Sequence, residues 1–112
     1  MASPGRGGAR RGADFERSCV SWLASMWGLA AERVKAGRSI DGGDLVWPGS
    51  DEFHIDCKSR DTVPPFMFDA IKADAVAQGQ VPVMIVDRKG TSDVGRSLVV
   101  VRLQDASDLF LG

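Results

Sequence analysis

The sequence predicts an α/β domain built on a central mixed sheet of five strands flanked by helices. Strict alternation of apolar and polar residues over 53–58 is typical of a strand. Two apolar runs rich in β-branched residues, 81–86 and 98–103, are typical of strands covered on both faces. Over 13–27 the apolar residues follow the spacing of one helix face: Phe15, Cys19, Trp22, Leu23 and Met26.

The other elements follow from turn and breaker residues. Gly28 is placed to end the first helix. Residues 31–35 and 44–47 are predicted as short strands that flank a loop rich in Gly, Ser and Asp. Pro64 and Pro65 begin a second helix that ends near Gly79, and 105–110 is predicted as a closing helical turn. The predicted order is therefore α-β-β-β-α-β-β.

Size and composition exclude several classes of protein. With 112 residues, the chain is long enough for one core but too short for a multidomain enzyme. No run approaches the ~20 apolar residues of a membrane span, and the start lacks the apolar segment of a signal peptide. Two cysteines and one histidine are too few for a zinc site. We therefore expect a cytoplasmic protein, in the host cytoplasm if phage-encoded, with no membrane partner.

Charge is distributed unevenly, although the formal net charge is only -1. Residues 1–38 carry 7 basic and 3 acidic side chains, whereas the rest of the chain carries 7 and 12. Residues 1–11 are rich in Gly without an apolar period, which predicts a flexible basic arm, followed by a single domain over 12–112. Such an arm could contact phosphates while an acidic site elsewhere holds cations, or it could be a solvated tail.

Three polar residues are predicted to converge on neighbouring strands. Asp44 begins the second strand, and Asp56 and Lys58 share one face of the third. Two adjacent carboxylates repel unless a cation lies between them, and a hard-oxygen set favours Mg²⁺ or Mn²⁺. Lys58 could then orient or deprotonate an attacking water. Alternatively, Asp44 caps a turn, and Asp56 and Lys58 form an exposed pair.

These residues resemble a nuclease motif. Glu16 on the first helix, Gly43-Asp44, and Asp56-x-Lys58 resemble the PD-(D/E)xK superfamily, with Gly43 in place of the usual Pro and Asp56 in place of the commoner Glu. Further segments are similar to the compact Holliday junction resolvases of archaea and phages: Gly12-x-x-Phe15-Glu16, Arg33-Val-Lys35, Gly37-Arg38-Ser39 and Pro82-Val-Met-Ile-Val-Asp87. The resemblance implies a restriction-endonuclease-like core.

The resemblance also implies roles for individual residues. Asp44, Asp56 and the backbone carbonyl of Cys57 would bind Mg²⁺ or Mn²⁺, and Lys58 would serve the attacking water. Glu16 would assist that metal site or hold a second ion, and Ser39 would lie near the scissile phosphate. Basic residues predicted to contact DNA are Arg6, Arg10, Arg11, Arg17, Arg38 and Arg60.

The predicted function is a metal-dependent, structure-selective DNA endonuclease, namely a Holliday junction resolvase that leaves 5′-phosphate and 3′-hydroxyl ends. We expect a homodimer acting on branched DNA, since a four-way junction offers two related strands. One alternative is another phage-type nuclease of the superfamily, acting on flaps, mismatches or single strands. A different class of alternative is a non-catalytic DNA-binding protein.

Other features carry weaker predictions. Residues 90–97 imitate a phosphate-binding loop, but Arg96 replaces the required Lys and a strand follows, so no nucleotide cofactor is expected. His54 shares a face with Asp56 and is either a structural residue or a contact to substrate. Trp27 and Trp47 are candidates for a dimer face, and Cys57 points away from the catalytic row into the core.

Overall fold

The computed structural model describes residues 4–34, 43–60, 65–87, 93–107 and 111, apart from the side chains of 4–11 and 65–67. Within these ranges, two α-helices and five strands follow one another in the predicted order. They are α1 (Pro4–Trp27), β1 (Glu32–Arg33), β2 (Leu45–Val46), β3 (Phe53–Ser59), α2 (Pro65–Ala77), β4 (Val81–Asp87) and β5 (Leu98–Val100). Short 3₁₀ helices cover Val94–Arg96 and Leu103–Asp105.

The strands form two sheets, so the prediction of one five-stranded sheet is wrong. β3 pairs in parallel with β4, and β5 pairs antiparallel with the other edge of β4. β1 and β2 form a separate antiparallel pair, and an isolated bridge between Gly43 and Ile55 links the segment before β2 to β3. The pairing stops there because the side chain of Asp44 accepts the N–H of Cys57, the group that a fifth strand would have bound.

The first helix is longer than predicted. α1 begins at Pro4, whereas the apolar spacing placed its start at residue 13. Proline suits the first turn of a helix, since it lacks only a donor that has no partner there, and Ala and Arg among the next residues favour helix. Gly28 ends the helix as predicted, with a positive φ of 68°. The division into a basic arm and a domain stays a prediction.

The side chains of β3 and β4 alternate between two apolar layers. On one face, Ile55, Cys57 and Val83 pack with the α1 residues Phe15, Cys19 and Leu23. On the other, Met84 and Val86 pack with Ile71 of α2. The predicted orientation of Cys57 into the core is confirmed, because its side chain is buried there.

Strand β5 differs from the prediction. Its run was expected to be covered on both faces, but Leu98 and Val99 are each more than half exposed. The strand is only three residues long and lies at the sheet edge, where β4 is its paired neighbour. Among the described residues, no helix combines the length and apolar character needed to cross a membrane.

Candidate active site

Asp44 is fixed against the edge of β3 by two hydrogen bonds. Its backbone N–H donates to the carbonyl of Ile55 at 2.6 Å, and its Oδ2 accepts from the N–H of Cys57 at 2.8 Å. Gly43 permits this approach, because a Cβ at this position would clash with the Ile55 backbone and its φ of 79° is unfavourable for other residues. Glycine at position 43 therefore has a steric reason.

Asp56 lies in the polar row of β3, between His54 and Lys58. Its side chain is 14% exposed, and Oδ2 lies 3.0 Å from Nε2 of His54. Burial raises the pKa of Asp56 to about 6. The negative charge of Asp44 adds to this rise in pKa, and the neighbouring His54 and Lys58 oppose it. Asp44, Asp56 and Lys58 therefore share one electrostatic environment.

Glu16 reaches the same environment from α1. Its side chain is 15% exposed, and one Oε2 lies 3.9 Å from a guanidinium nitrogen of Arg33. Burial raises the pKa of Glu16, the charges of Asp44 and Asp56 add to the rise, and Arg33 lowers it. Glu16, Asp44 and Asp56 thus lie near enough for the charges of the two aspartates to affect the ionisation of Glu16, although each residue comes from a different segment.

The donor set fits a hard divalent cation. Asp56 Oδ2 is buried, and the ring of His54 directs no N–H at it with hydrogen-bond geometry, so this oxygen can accept a further ligand. In a strand, the N–H and carbonyl of one residue point to the same side, so the carbonyl of Cys57 faces the edge occupied by Asp44. Mg²⁺ typically binds one or two carboxylates and completes its shell with water and phosphate oxygens.

Across the described ranges, no preformed cluster of three or more His, Cys, Asp or Glu side chains is arranged to hold a metal ion. Glu16 therefore does not complete a three-carboxylate cage with Asp44 and Asp56. The arrangement that fits is the sparse one, in which two carboxylates and a main-chain oxygen leave most positions to water and substrate.

Most of the other residues predicted from the sequence are not described or have no described side chain. Ser39 and Arg38 fall outside the described residues. Arg6, Arg10 and Arg11 belong to α1, but their side chains are not described. Arg17 is exposed and forms a 3.1 Å ion pair with Asp14. Arg60 follows β3 at the surface, where its N–H donates to the carbonyl of Asp87.

Sequence reasoning did not place Arg33 in the site, although it noted the basic segment that contains it. Its contact with Glu16 joins α1 to β1. The sequence does contain one indication of this contact, because an arginine on a short strand can reach a carboxylate on a neighbouring helix. The helix face carrying Glu16 could not be matched with that strand, however, without knowing where β1 lies.

The imitation of a phosphate-binding loop is not followed by a helix. Val94–Arg96 forms a single 3₁₀ turn, and β5 begins at Leu98. Gly95 lies close to Trp22, since a Cβ on it would be 3.1 Å from Nε1 of the indole. This segment therefore packs against α1.

An apolar cleft of about 240 Å³ lies between α1 and the sheet. It is bordered by Trp22, Trp27, Trp47 and Val99, and the acidic residues of the site do not line it. Trp22 and Trp27 meet edge to face with ring centroids 5.6 Å apart. Trp27 is nevertheless 62% exposed. The cleft is thus a feature separate from the carboxylates.

The fold is similar to that of a solved nuclease. Hjc from Archaeoglobus fulgidus, a Holliday junction resolvase from an archaeal hyperthermophile, superposes with a TM-score of 0.50 and 20% sequence identity. The match covers 82% of this chain and 84% of that chain. It shows that this chain has a resolvase-type α/β fold. Comparison with protein-family models finds no match, and comparison with the curated proteins finds none either.

Proposed function

We propose that this protein is a metal-dependent, structure-selective DNA endonuclease of the PD-(D/E)xK type, acting as a Holliday junction resolvase. The observation that carries the proposal is Asp44, hydrogen-bonded to the edge of β3 beside Asp56 and Lys58. The fold of a known resolvase supports it independently of these residues. Retention of both carboxylates and the lysine argues against a DNA-binding protein without activity.

The residues divide the chemistry between them. Asp44, Asp56 and the Cys57 carbonyl would hold Mg²⁺ or Mn²⁺, and a bound ion would supply stabilisation of the negative charge that develops at the phosphate. Lys58, on the same face as Asp56, orients the attacking water and offsets charge on the phosphate. Glu16 assists from α1. Water adds to phosphorus and loses one proton to solvent, while the bond to the 3′ oxygen breaks and that oxygen takes a proton from solvent. The products are 5′-phosphate and 3′-hydroxyl ends.

We propose that DNA phosphates contact basic side chains around this site, while Ser39 lies near the scissile phosphate. Arg17 supports this placement, because it is exposed on α1 and follows Glu16 directly. The other proposed contacts are Arg6, Arg10, Arg11, Arg38 and Arg60. Phosphate contacts position a protein on DNA without reading bases, as recognition of branched structure requires.

A homodimer is part of the proposal. A four-way junction has two symmetry-related strands to cut, whereas one chain offers one group of carboxylates. The apolar cleft and the exposed Trp27 support the dimer, because the second copy of the chain would cover this apolar surface, which lies away from the carboxylates. Light scattering at micromolar concentration should give twice the mass of the chain, and a monomer at all concentrations would contradict this part.

The test of function is cleavage of labelled four-way junction, flap, duplex and single-stranded DNA with Mg²⁺ or with chelator. We expect paired nicks on the junction with metal and no cleavage in chelator. The control is a double variant, Asp44→Asn with Asp56→Asn. Preference for flaps or single strands would favour another nuclease of this type, and binding without cleavage would favour the non-catalytic class.

A further inference from the structure

His54 is a buried polar residue to which the proposed chemistry gives no role. It is the only histidine of the chain and is 2% exposed. Each ring nitrogen faces an oxygen: Nε2 lies 3.0 Å from Oδ2 of Asp56, and Nδ1 lies 3.4 Å from Oε1 of Gln80. Burial at this depth favours the structural alternative over a contact with substrate, so any effect of His54 on the site would pass through these neighbours.

Gln80 is itself held in place from two sides. Its Nε2 donates to the carbonyl of Asp51 at 3.0 Å, and its backbone N–H donates to the carbonyl of Ala75 at 2.8 Å. The side-chain bond directs Oε1 toward His54. A continuous series of contacts therefore runs from the turn before β3, through Gln80 and His54, to Asp56.

We infer that His54, oriented by Gln80, is a positioning residue that holds Asp56 in the geometry needed to bind the metal ion. The inference rests on the proposed function, because it takes Asp56 as a metal ligand. Side chains that orient a ligating carboxylate from behind tune metal affinity and typically change it by ~10- to 100-fold when removed. His54 does this without touching DNA, metal or water.

The contacts favour positioning over simple packing. A phenylalanine could fill the same space, and burying an imidazole without suitable partners is unfavourable. Here both nitrogens meet oxygens, and one of those oxygens belongs to the carboxylate proposed as a ligand. The ring of His54 packs with Nε2 only 3.0 Å from Oδ2, which restricts where the carboxylate can lie. Because Oδ2 has no hydrogen-bond partner in the part of the chain that the structure describes, it can still accept a metal ion.

The experiment compares His54→Phe, which retains a ring but loses both contacts, with His54→Gln, which retains an N–H that can reach Asp56. Ile71→Val is the matched control, because Ile71 is buried in the layer on the same side of the sheet and the change is mildly destabilising. Mn²⁺ binding is measured by calorimetry without DNA, and junction cleavage is measured over a range of Mg²⁺ concentrations.

For His54→Phe we expect Mn²⁺ binding weakened by ~10- to 100-fold, with a similar rise in the Mg²⁺ needed for half-maximal cleavage. The rate at saturating Mg²⁺ should change far less. His54→Gln should recover most of the affinity, and Ile71→Val should retain it. Unchanged metal affinity in His54→Phe would overturn the inference, as would an equal loss in Ile71→Val.

A second readout separates this inference from the proposed function. Because the chain has one histidine, its ring ¹⁵N signals are assigned without ambiguity. Asp56→Asn should shift Nε2, and Gln80→Leu should shift Nδ1. A Nε2 signal indifferent to Asp56→Asn would overturn the positioning role. If wild-type protein binds Mn²⁺ but cuts no DNA, the proposed function fails while the role of His54 still stands on calorimetry and NMR.

Discussion

The two edges of β3 are built in different ways. On one edge, seven consecutive residues pair in parallel with β4, from Phe53 opposite Val81 to Ser59 opposite Asp87. On the other, an isolated bridge joins Gly43 to Ile55, and the carboxylate of Asp44 then accepts the N–H of Cys57. The proposed site therefore lies where hydrogen bonds between two backbones end and a side chain, that of Asp44, binds the backbone of β3 instead. A complete strand there would have occupied the groups that Asp44 and a cation can use.

Asp44→Asn should have the largest effect, because it changes the charged side chain at the edge of β3 that lacks a full strand. The amide oxygen of Asn can still accept from Cys57, so the edge remains satisfied while the ligand charge is lost. We expect cleavage to fall by ~10³-fold or more, since a metal ion supplies several kcal/mol of charge stabilisation. Single-turnover cleavage of a labelled junction measures this.

Asp44→Ala is the companion variant. It removes the hydrogen bond as well as the charge, and an unsatisfied buried N–H costs about 1–3 kcal/mol of unfolding free energy. Asp44→Asn should therefore unfold near wild type in urea, and Asp44→Ala should unfold earlier. Full activity in Asp44→Asn would contradict the metal assignment, and equal stability of the two variants would contradict the edge bond.

Lys58→Ala tests a residue of β3 whose backbone is paired with β4. The backbone of Lys58 remains opposite Val86 in the ladder, so the fold should survive. We expect the single-turnover rate to fall by ~10²- to 10⁴-fold, the range for a positioned acid, base or electrostatic group, with little loss of junction affinity. If affinity fell as steeply as rate, Lys58 would be an anchor for phosphate instead.

The parts of this arrangement that sequence could predict depend on local periodicity. Alternation over 53–58 placed Ile55 and Cys57 in the core and put Asp56 and Lys58 on the opposite face, as the structure has them. The bridge at Gly43 could not be predicted, because a strand that diverges after one contact has the same local pattern as one that continues. Nor could the contact between His54 and Gln80, which are 26 positions apart.

Local sequence pattern also failed to predict where α1 begins. The apolar spacing predicted a helix from residue 13, but the helix begins at Pro4, within a segment that contains three glycines over 5–8. Intrinsic propensity is a weak indicator over such a short segment, and context can override it. Met26 likewise belongs to the apolar helix face predicted from the spacing, yet in the structure it is 64% exposed, so that part of the prediction is wrong.

Gly43→Ala should disrupt the isolated bridge between Gly43 and Ile55 at the edge of β3. A Cβ would clash with the Ile55 backbone and the positive φ would be strained, so we expect a loss of about 3 kcal/mol or more in unfolding free energy. Gly49→Ala is the matched control. Gly49 also has a positive φ, of 95°, but its Cβ would meet no atom within 4 Å, so only about 1–2 kcal/mol should be lost. Urea unfolding of both proteins measures the difference, and equal losses would show that close approach to β3 is unimportant.

The smallest expected effect comes from Asp56→Asn in chelator, where the carboxylates have no cation between them. Burial, with the charge of Asp44, raises the pKa of Asp56 from 3.8 to about 6 in the folded protein. Its contribution to stability is therefore present below pH 3.8 and is lost as pH rises through 6. We expect the variant to be more stable than wild type by about 2 kcal/mol at pH 7.5, with the gap closing toward pH 4. Urea unfolding at pH 4, 6 and 7.5 measures this, and Asp69→Asn, an exposed carboxylate on α2, is the control. If Asp56→Asn were less stable than wild type at pH 7.5, burial and the charge of Asp44 would not disfavour the ionised carboxylate in the apo protein, and the electrostatic reason for placing a cation beside β3 would be lost.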